Sequence, residues 1–277
     1  MPAASRAKRQ SRGHAAAAPK VQGAAAFGKF IAVLQIIADK PRELGVAELC
    51  KFAKLPRATV YRIVEGLRAE GLVQTVQPAK KLALGPRLIN LASRSWATFD
   101  LRALAHDEIA ALRDVTGETV HLAVPGGPEM VYVDKLESPQ TVRMTSRIGT
   151  RISLYASSVG KAYLAALPAQ ERHDLLGKIS FQRMTPHTIT QRQALEAELA
   201  KTLKRGYALD MEETELEIRC IGAAIRNAAG RPIAGISVSV PKYRFDRNVE
   251  TRYPAIVVEC ARRIAAQVAA AESPFPQ

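Results

Sequence analysis

The sequence predicts an α+β protein in two parts: an N-terminal winged helix-turn-helix, then a larger unit of mostly antiparallel sheet with helices beside it. Three observations predict it. Residues 46–73, VAELCKFAKLPRATVYRIVEGLRAEGLV, read as two short helices joined by a tight turn. Two short apolar runs follow at once, around the turn Gln77-Pro78-Ala79-Lys80-Lys81, as a wing would. From Glu118 onward the apolar spacing changes from three and four to two, the period of strands.

The elements follow in order. Residues 1–23 carry almost no large apolar side chain, and read as a disordered basic tail. The winged helix-turn-helix occupies 24–86. Its first helix, 27–38, repeats Phe27, Phe30, Ile31, Leu34 and Ile37 at helical spacing, and Pro41 punctuates it. The second covers 46–53 and breaks at Leu55-Pro56. Pro56 lacks an N–H and suits the first turn of the third helix, which runs to about Glu70 and stops at Gly71. Strands at 72–76 and 82–84 form the wing. A linker helix over 87–99 presents Leu88, Leu91, Ala92 and Ser95 on one side. The second unit, 100–277, opens with a helix from Leu101 to Val115, capped by Asp100. Strands at 119–124 and 130–136 flank Pro125-Gly126-Gly127-Pro128, and 142–144 reads as a third. A helix at 159–167 ends at Pro168. Another, at 191–205, has Leu195, Leu199 and Leu203 in register and closes at Gly206. Strands at 219–226 and 232–240 and a helix at 248–271 complete the chain.

The third helix has the layout of a reading helix. At 100° per residue, Ile63, Val64 and Leu67 fall within about 60° of Val60 and form a buried face. Ala58 and Arg62 point the opposite way, with Thr59 and Tyr61 on the flanks. Arg grips guanine bidentately, and Ala or a Thr methyl touches a thymine methyl. Arg57, Lys54 and the wing's Lys80 and Lys81 suit phosphates, which set affinity rather than sequence. The alternative is an amphipathic surface helix with a solvated charged face.

Charge is concentrated at the same end. Sixteen lysines and arginines face five acids up to residue 88, a balance of +11. The rest, 24 against 21, carries +3 of the total +14. Such a field is the footprint of a polyanionic partner, here double-stranded DNA. The three cysteines, Cys50, Cys220 and Cys260, form no CxxC and argue against a disulfide framework and a zinc site. No apolar run approaches the ~20 residues of a membrane span, and a reducing cytoplasm is the expected compartment.

Three blocks carry a family resemblance: LPRATVYRIVEGLRAEGLV with LALGPRLINLA, IGTRISLYASSVGKAYLAALP from Ile148, and GYALDMEETELEIRCIGAAIRNAAGRPIAGISVSVP from Gly206. In this order they resemble the IclR-type family of bacterial transcriptional regulators. The resemblance implies a GAF-like effector-binding and oligomerisation domain over 100–277. It also implies homodimers through the DNA-binding half, often paired into tetramers, and a small carboxylic acid, aromatic ones included, as effector.

Ala156-Ser157-Ser158 opens the helix near Val159, and free N–H groups with two hydroxyls at a helix N-terminus make an anion site. The family places its effector carboxylate here. By the same matching Asp210, Cys220, Ser237 and Ser239 line the pocket. Ser237 and Ser239 are two apart and share a strand face, and Met144, Ile148 and Ile152 would supply apolar walls. Other readings stand beside these: Ser157 or Ser158 as a plain cap, Cys220 as a buried cysteine, Asp210 paired with a surface cation. Ser153 stands where the family usually has proline and Tyr155 where it has histidine, departures that bear on the pocket's shape and polarity.

No enzyme is indicated. Gly160-Lys161 lacks the first glycine and the final Ser or Thr of a P-loop, no GxSxG elbow surrounds the serines, and the five histidines show no metal spacing. His121 reads as a satisfied core or pocket histidine. No cofactor is expected. The competing class is a nonspecific nucleoid-type DNA binder whose C-terminal domain only oligomerises.

Overall fold

The structure, a computed structural model, describes residues 24–96, 101–141, 144 and 146–272. The basic tail, the Asp100 cap, the end of the linker helix and most of the expected strand at 142–144 lie outside them. The chain divides into two compact units at residues 99 and 100.

In the first unit α1 (Ala24–Asp39), α2 (Val46–Ala53) and α3 (Arg57–Ala69) pack around one core. Val33, Ile37, Leu49, Val60 and Val64 are fully buried there. The turn between α2 and α3 is Lys54-Leu55-Pro56, with Lys54 left-handed at φ 49°. Strands β1 (Val73–Val76) and β2 (Lys81–Leu84) form the antiparallel wing, Val73 opposite Leu84. The wing is tied back to the chain before α2: the Leu82 amide donates to Leu44 O at 2.8 Å, and Leu82 O accepts from Arg42 N at 3.1 Å. Helix α4 (Pro86–Trp96) is the linker helix; Leu88 and Ala92 are half-buried, while Leu91 is exposed.

The second unit is built on a six-stranded antiparallel sheet of order β5-β4-β3-β8-β7-β6. These are β3 (Thr119–Pro125), β4 (Glu129–Leu136), β5 (Arg151–Ser153), β6 (Ala208–Met211), β7 (Ile218–Arg226) and β8 (Pro232–Pro241). The central pair β3–β8 is largely buried on both faces. Helices α5 (Leu101–Thr116) and α9 (Arg247–Glu272) pack together and on the sheet. Helix α6 (Ser158–Ala166) lies on β7 and β8, backed by α8 (Arg192–Arg205), with α7 (Ala169–Leu176) following it. Gly222 makes this approach possible: a Cβ there would lie 2.8 Å from the Ser158 carbonyl carbon.

Three expectations are corrected, and two elements appear that the sequence reading did not contain. Met144 lies in no strand; the strand beside β4 is β5, too short to show alternation. Helix α7 has only Leu175 and Leu176 as large apolar residues, and strand β6 is four residues long, so neither announces itself in the sequence. Leu203 is 57% exposed, because α8 turns only Leu195, Leu199 and Thr202 inward. Ile148 is 52% exposed in a turn and supplies no pocket wall.

Candidate nucleic-acid interface and ligand cavity

On α3 the four apolar residues Val60, Ile63, Val64 and Leu67 are at most 3% exposed. Burying each stabilises the unit by roughly 1.5–3 kcal/mol. That fixes the helix's rotation, so Arg57, Ala58, Tyr61 and Arg62 are exposed and Thr59 half-buried at its start. The Arg57 guanidinium sits 5.8 Å from the Tyr61 ring centroid, a cation–π pair that orients both side chains. Lys80 is exposed in the wing turn at φ 50°. Lys81 is differently placed: its Nζ lies 3.4 Å from Glu48 Oε1. Glu48 also accepts from the Gly45 amide at 2.6 Å, and this bond, with Lys81 behind it, holds its carboxyl below the usual range. Lys81 therefore fastens the wing to α2, and Lys80 is the freer cation.

In the second unit Ser157, Ser158, Asp210, Cys220, Ser237 and Ser239 all line one cavity of about 330 Å³, with His121, Tyr132, Met144 and Ile152. They differ in what they have left to offer. Ser157 is spent as the N-cap: its Oγ accepts from Gly160 N at 3.1 Å and donates to Ser153 O at 2.5 Å. Asp210 is 1% exposed and bound to its own turn rather than to a surface cation. Its Oδ1 accepts from Glu213 N at 2.7 Å and Thr214 N at 3.3 Å, and its Oδ2 from the Thr214 hydroxyl. Burial raises its pKa, while those bonds and Lys161 oppose the rise.

Ser158 and Ser237 are each 2% exposed. No hydrogen bond among the described residues engages their hydroxyls, nor the amides of Ser158 and Val159 at the open end of α6.

Cys220, Ser239, His121 and Ser146 form a hydrogen-bonded file. The Cys220 thiol donates to Ser239 Oγ at 3.2 Å, and burial first of all pushes its pKa up, so it is a thiol and not a nucleophile. Ser239 Oγ lies 3.3 Å from His121 Nδ1, and His121 Nε2 lies 2.7 Å from Ser146 Oγ. Burial, then the charge of Lys135, holds the imidazole near 3, so it is neutral. Its ring stacks on Tyr132 with centroids 4.3 Å apart. Burial raises the Tyr132 phenol.

Tyr132 and Lys135 are three apart, which strand alternation would put on opposite faces. A bulge restores them to one face: Asp134 pairs with Leu122 and Tyr132 with Ala123, leaving Val133 unpaired. Lys135 then reaches Met144 O at 2.7 Å and Ser146 O at 2.8 Å, pinning the segment at the cavity mouth. Sequence reasoning missed Tyr132, Lys135 and the buried pair Lys161–Glu213. His121, read from the sequence as a core or pocket histidine, lies directly across from Ser237 and lines the cavity.

Among the described residues no group of three His, Cys, Asp or Glu is disposed to hold a metal, and no helix is long and apolar enough to cross a membrane.

Comparison with known proteins agrees with this geometry. Residues 94–266 match the family described as bacterial transcriptional regulator IclR C-terminal, and residues 28–77 the IclR helix-turn-helix domain. The HTH-type transcriptional regulator KdgR of Escherichia coli (strain K12) is 33% identical over 247 residues, 89% of this chain and 94% of KdgR. The Thermotoga maritima IclR structure superposes with a TM-score of 0.71 at 33% identity, over 89% of this chain and 99% of that one. An IclR homologue from Microbacterium hydrocarbonoxydans, complexed with 4-hydroxybenzoate, gives a TM-score of 0.76 at 26% identity, over 88% and 99%.

Proposed function

Because the chain belongs to the IclR family of bacterial transcriptional regulators, we propose that it reads a discrete operator with α3 and senses a small organic acid at the start of α6. The genes it controls would serve that acid's catabolism. It is a regulator with a ligand-binding C-terminal domain, not an enzyme.

The observation that carries the effector reading is the convergence, in one cavity, of two helix-start amides and the Ser158 and Ser237 hydroxyls, none of them bonded among the described residues. Amides there favour an anion, and a carboxylate accepts several hydrogen bonds at once. A volume of about 330 Å³ lies at the small end of ligand pockets, which run from about 300 to 1,000 Å³. The His121–Tyr132 stack offers a flat wall that favours a planar or aromatic acid, and the relative that holds 4-hydroxybenzoate supports that choice.

At the other end, Arg62, Ala58, Thr59 and Tyr61 would meet base edges, while Arg57, Lys80 and Lys81 would meet phosphates. Phe27 and Ile31 on α1 and Ile89 and Leu91 on α4 are exposed apolar residues. They support a homodimer formed through this unit on a pseudo-palindromic operator; pairing of dimers into tetramers and a cytoplasmic location complete the proposed reading. A nonspecific coating protein has no use for a polar cavity, which favours the regulator. A thermal-shift screen against small aromatic and aliphatic acids tests the sensor, since ligand at 100 times its Kd adds about 2.7 kcal/mol. Silence across that screen, or a shift that Ser158→Ala leaves intact, sinks the assignment. A footprint without a discrete boundary would favour the coating protein.

A further inference from the structure

The cavity that would take an acid already contains one. Asp210 lies in its wall, and Glu213 lies directly behind Asp210, with Lys161 as their buried counter-ion. Lys161 is 0% exposed and belongs to α6, one turn after the Ser157 cap; its Nζ is bonded to Glu213 Oε1. The two carboxyls are differently provided for. Asp210 receives three donors, which suits an ionised carboxylate. Glu213 has Lys161 on one oxygen, while its Oε2 is buried with no hydrogen-bond partner among the described residues.

Every neighbouring element contributes to the charge around this pair. Helix α6 gives Lys161, α8 gives Glu198, the β6–β7 loop gives Glu215, β7 gives the neutral thiol of Cys220 and β4 the neutral phenol of Tyr132. Glu198 is itself paired with Arg205 and Lys201. The segment before α8 contributes only hydroxyls, Thr185 donating to Glu212 O and Thr188 to Glu213 O. One buried ammonium therefore faces two carboxyls. A ligand carboxylate at the Ser158 amide would make three negative groups around it.

We propose that binding of the effector's carboxylate is coupled to the uptake of one proton by Glu213, so that the sensor responds to its acid and to pH together. This rests on the carboxylate reading of the cavity. The balance is simple: the ligand anion enters, one proton from solvent joins Glu213 Oε2, and the net charge of the cluster is unchanged. Burial, partly offset by Lys161, brings the Glu213 carboxyl up to about 7 before any ligand arrives, so little further change completes its protonation near neutral pH. Glutamine at 213 has the shape of the protonated acid and removes the titration.

The test uses the full chain with sodium formate as a minimal carboxylate and sodium chloride at matched strength as control. Its affinity is read by thermal shift from pH 5.5 to 8.5. Above pH 7 the wild type should lose affinity at up to tenfold per pH unit, the slope of one linked proton. Glu213→Gln should bind with a flat profile at the low-pH affinity. A flat wild-type profile overturns the proton coupling and leaves the carboxylate site standing. No formate-specific shift at any pH, or one untouched by Ser158→Ala, overturns the carboxylate site itself. Should Glu213→Gln not fold, the wild-type slope alone decides.

Discussion

Arg62 and Glu213 have opposite surroundings, and each makes a separable prediction. Arg62 is exposed on the turned-out face of α3. Arg62→Ala should relax sequence preference at one operator position by about 1–3 kcal/mol; equal preference across operator variants, by binding competition, would remove it as a base reader. Glu213 is buried beside Lys161. Its carboxyl titrates near 7 in the folded protein, against 4.5 unprotected. Its contribution to stability is therefore full below pH 4.5 and is lost as pH rises through 7. The melting temperature of Glu213→Gln relative to wild type should climb from pH 5.5 to 8. A constant difference would mean that Glu213 does not titrate there.

At the scale of elements, the wing joins stability to recognition. Lys81 is engaged by Glu48 and Lys80 is not. Lys80→Ala should reduce the salt slope of operator binding by about one, and Lys81→Ala by less, with some loosening of the wing; equal slopes would show that the Glu48 pair opens on DNA. These helices were readable because the apolar period of α3 and the Leu55-Pro56 break are local signals. All six effector candidates also fell in one cavity, since block order and strand register carry over. Strands β5 and β6 were not legible, being too short for any period to repeat, and helix α7 was not because its large apolar residues are only the adjacent Leu175 and Leu176. The bulge at Val133 was not legible either. It is a pairing irregularity between two strands, and without it Tyr132 and Lys135 appear to face apart. Lys161–Glu213 joins residues 52 apart, which no local pattern reveals.

For the whole molecule, the asymmetry of charge and the exposed apolar residues of the first unit point the same way. A dimer presents two reading helices to half-sites about one DNA turn apart, roughly 34–36 Å. Phe27 and Ile31, 67% and 46% exposed, lie one turn apart on α1. Replacing both with serine should convert the proposed dimer to monomer in sedimentation and weaken operator binding at least tenfold. A dimer that survives would move the interface elsewhere.

The Ser157 cap has a consequence for how news of a ligand travels. Because Ser157 satisfies the Gly160 amide from within the chain, the start of α6 is pre-organised, and a ligand spends none of its affinity on folding that helix. The conformational response is then expected in the segments that border the cavity outside helices and strands, at 146–150 and 212–217. Amide hydrogen exchange should show this directly: slow and ligand-independent in α6 from Gly160 onward, slowed on binding in those two segments. Strong new protection inside α6 would mean that the helix is assembled by its effector and does not wait for it.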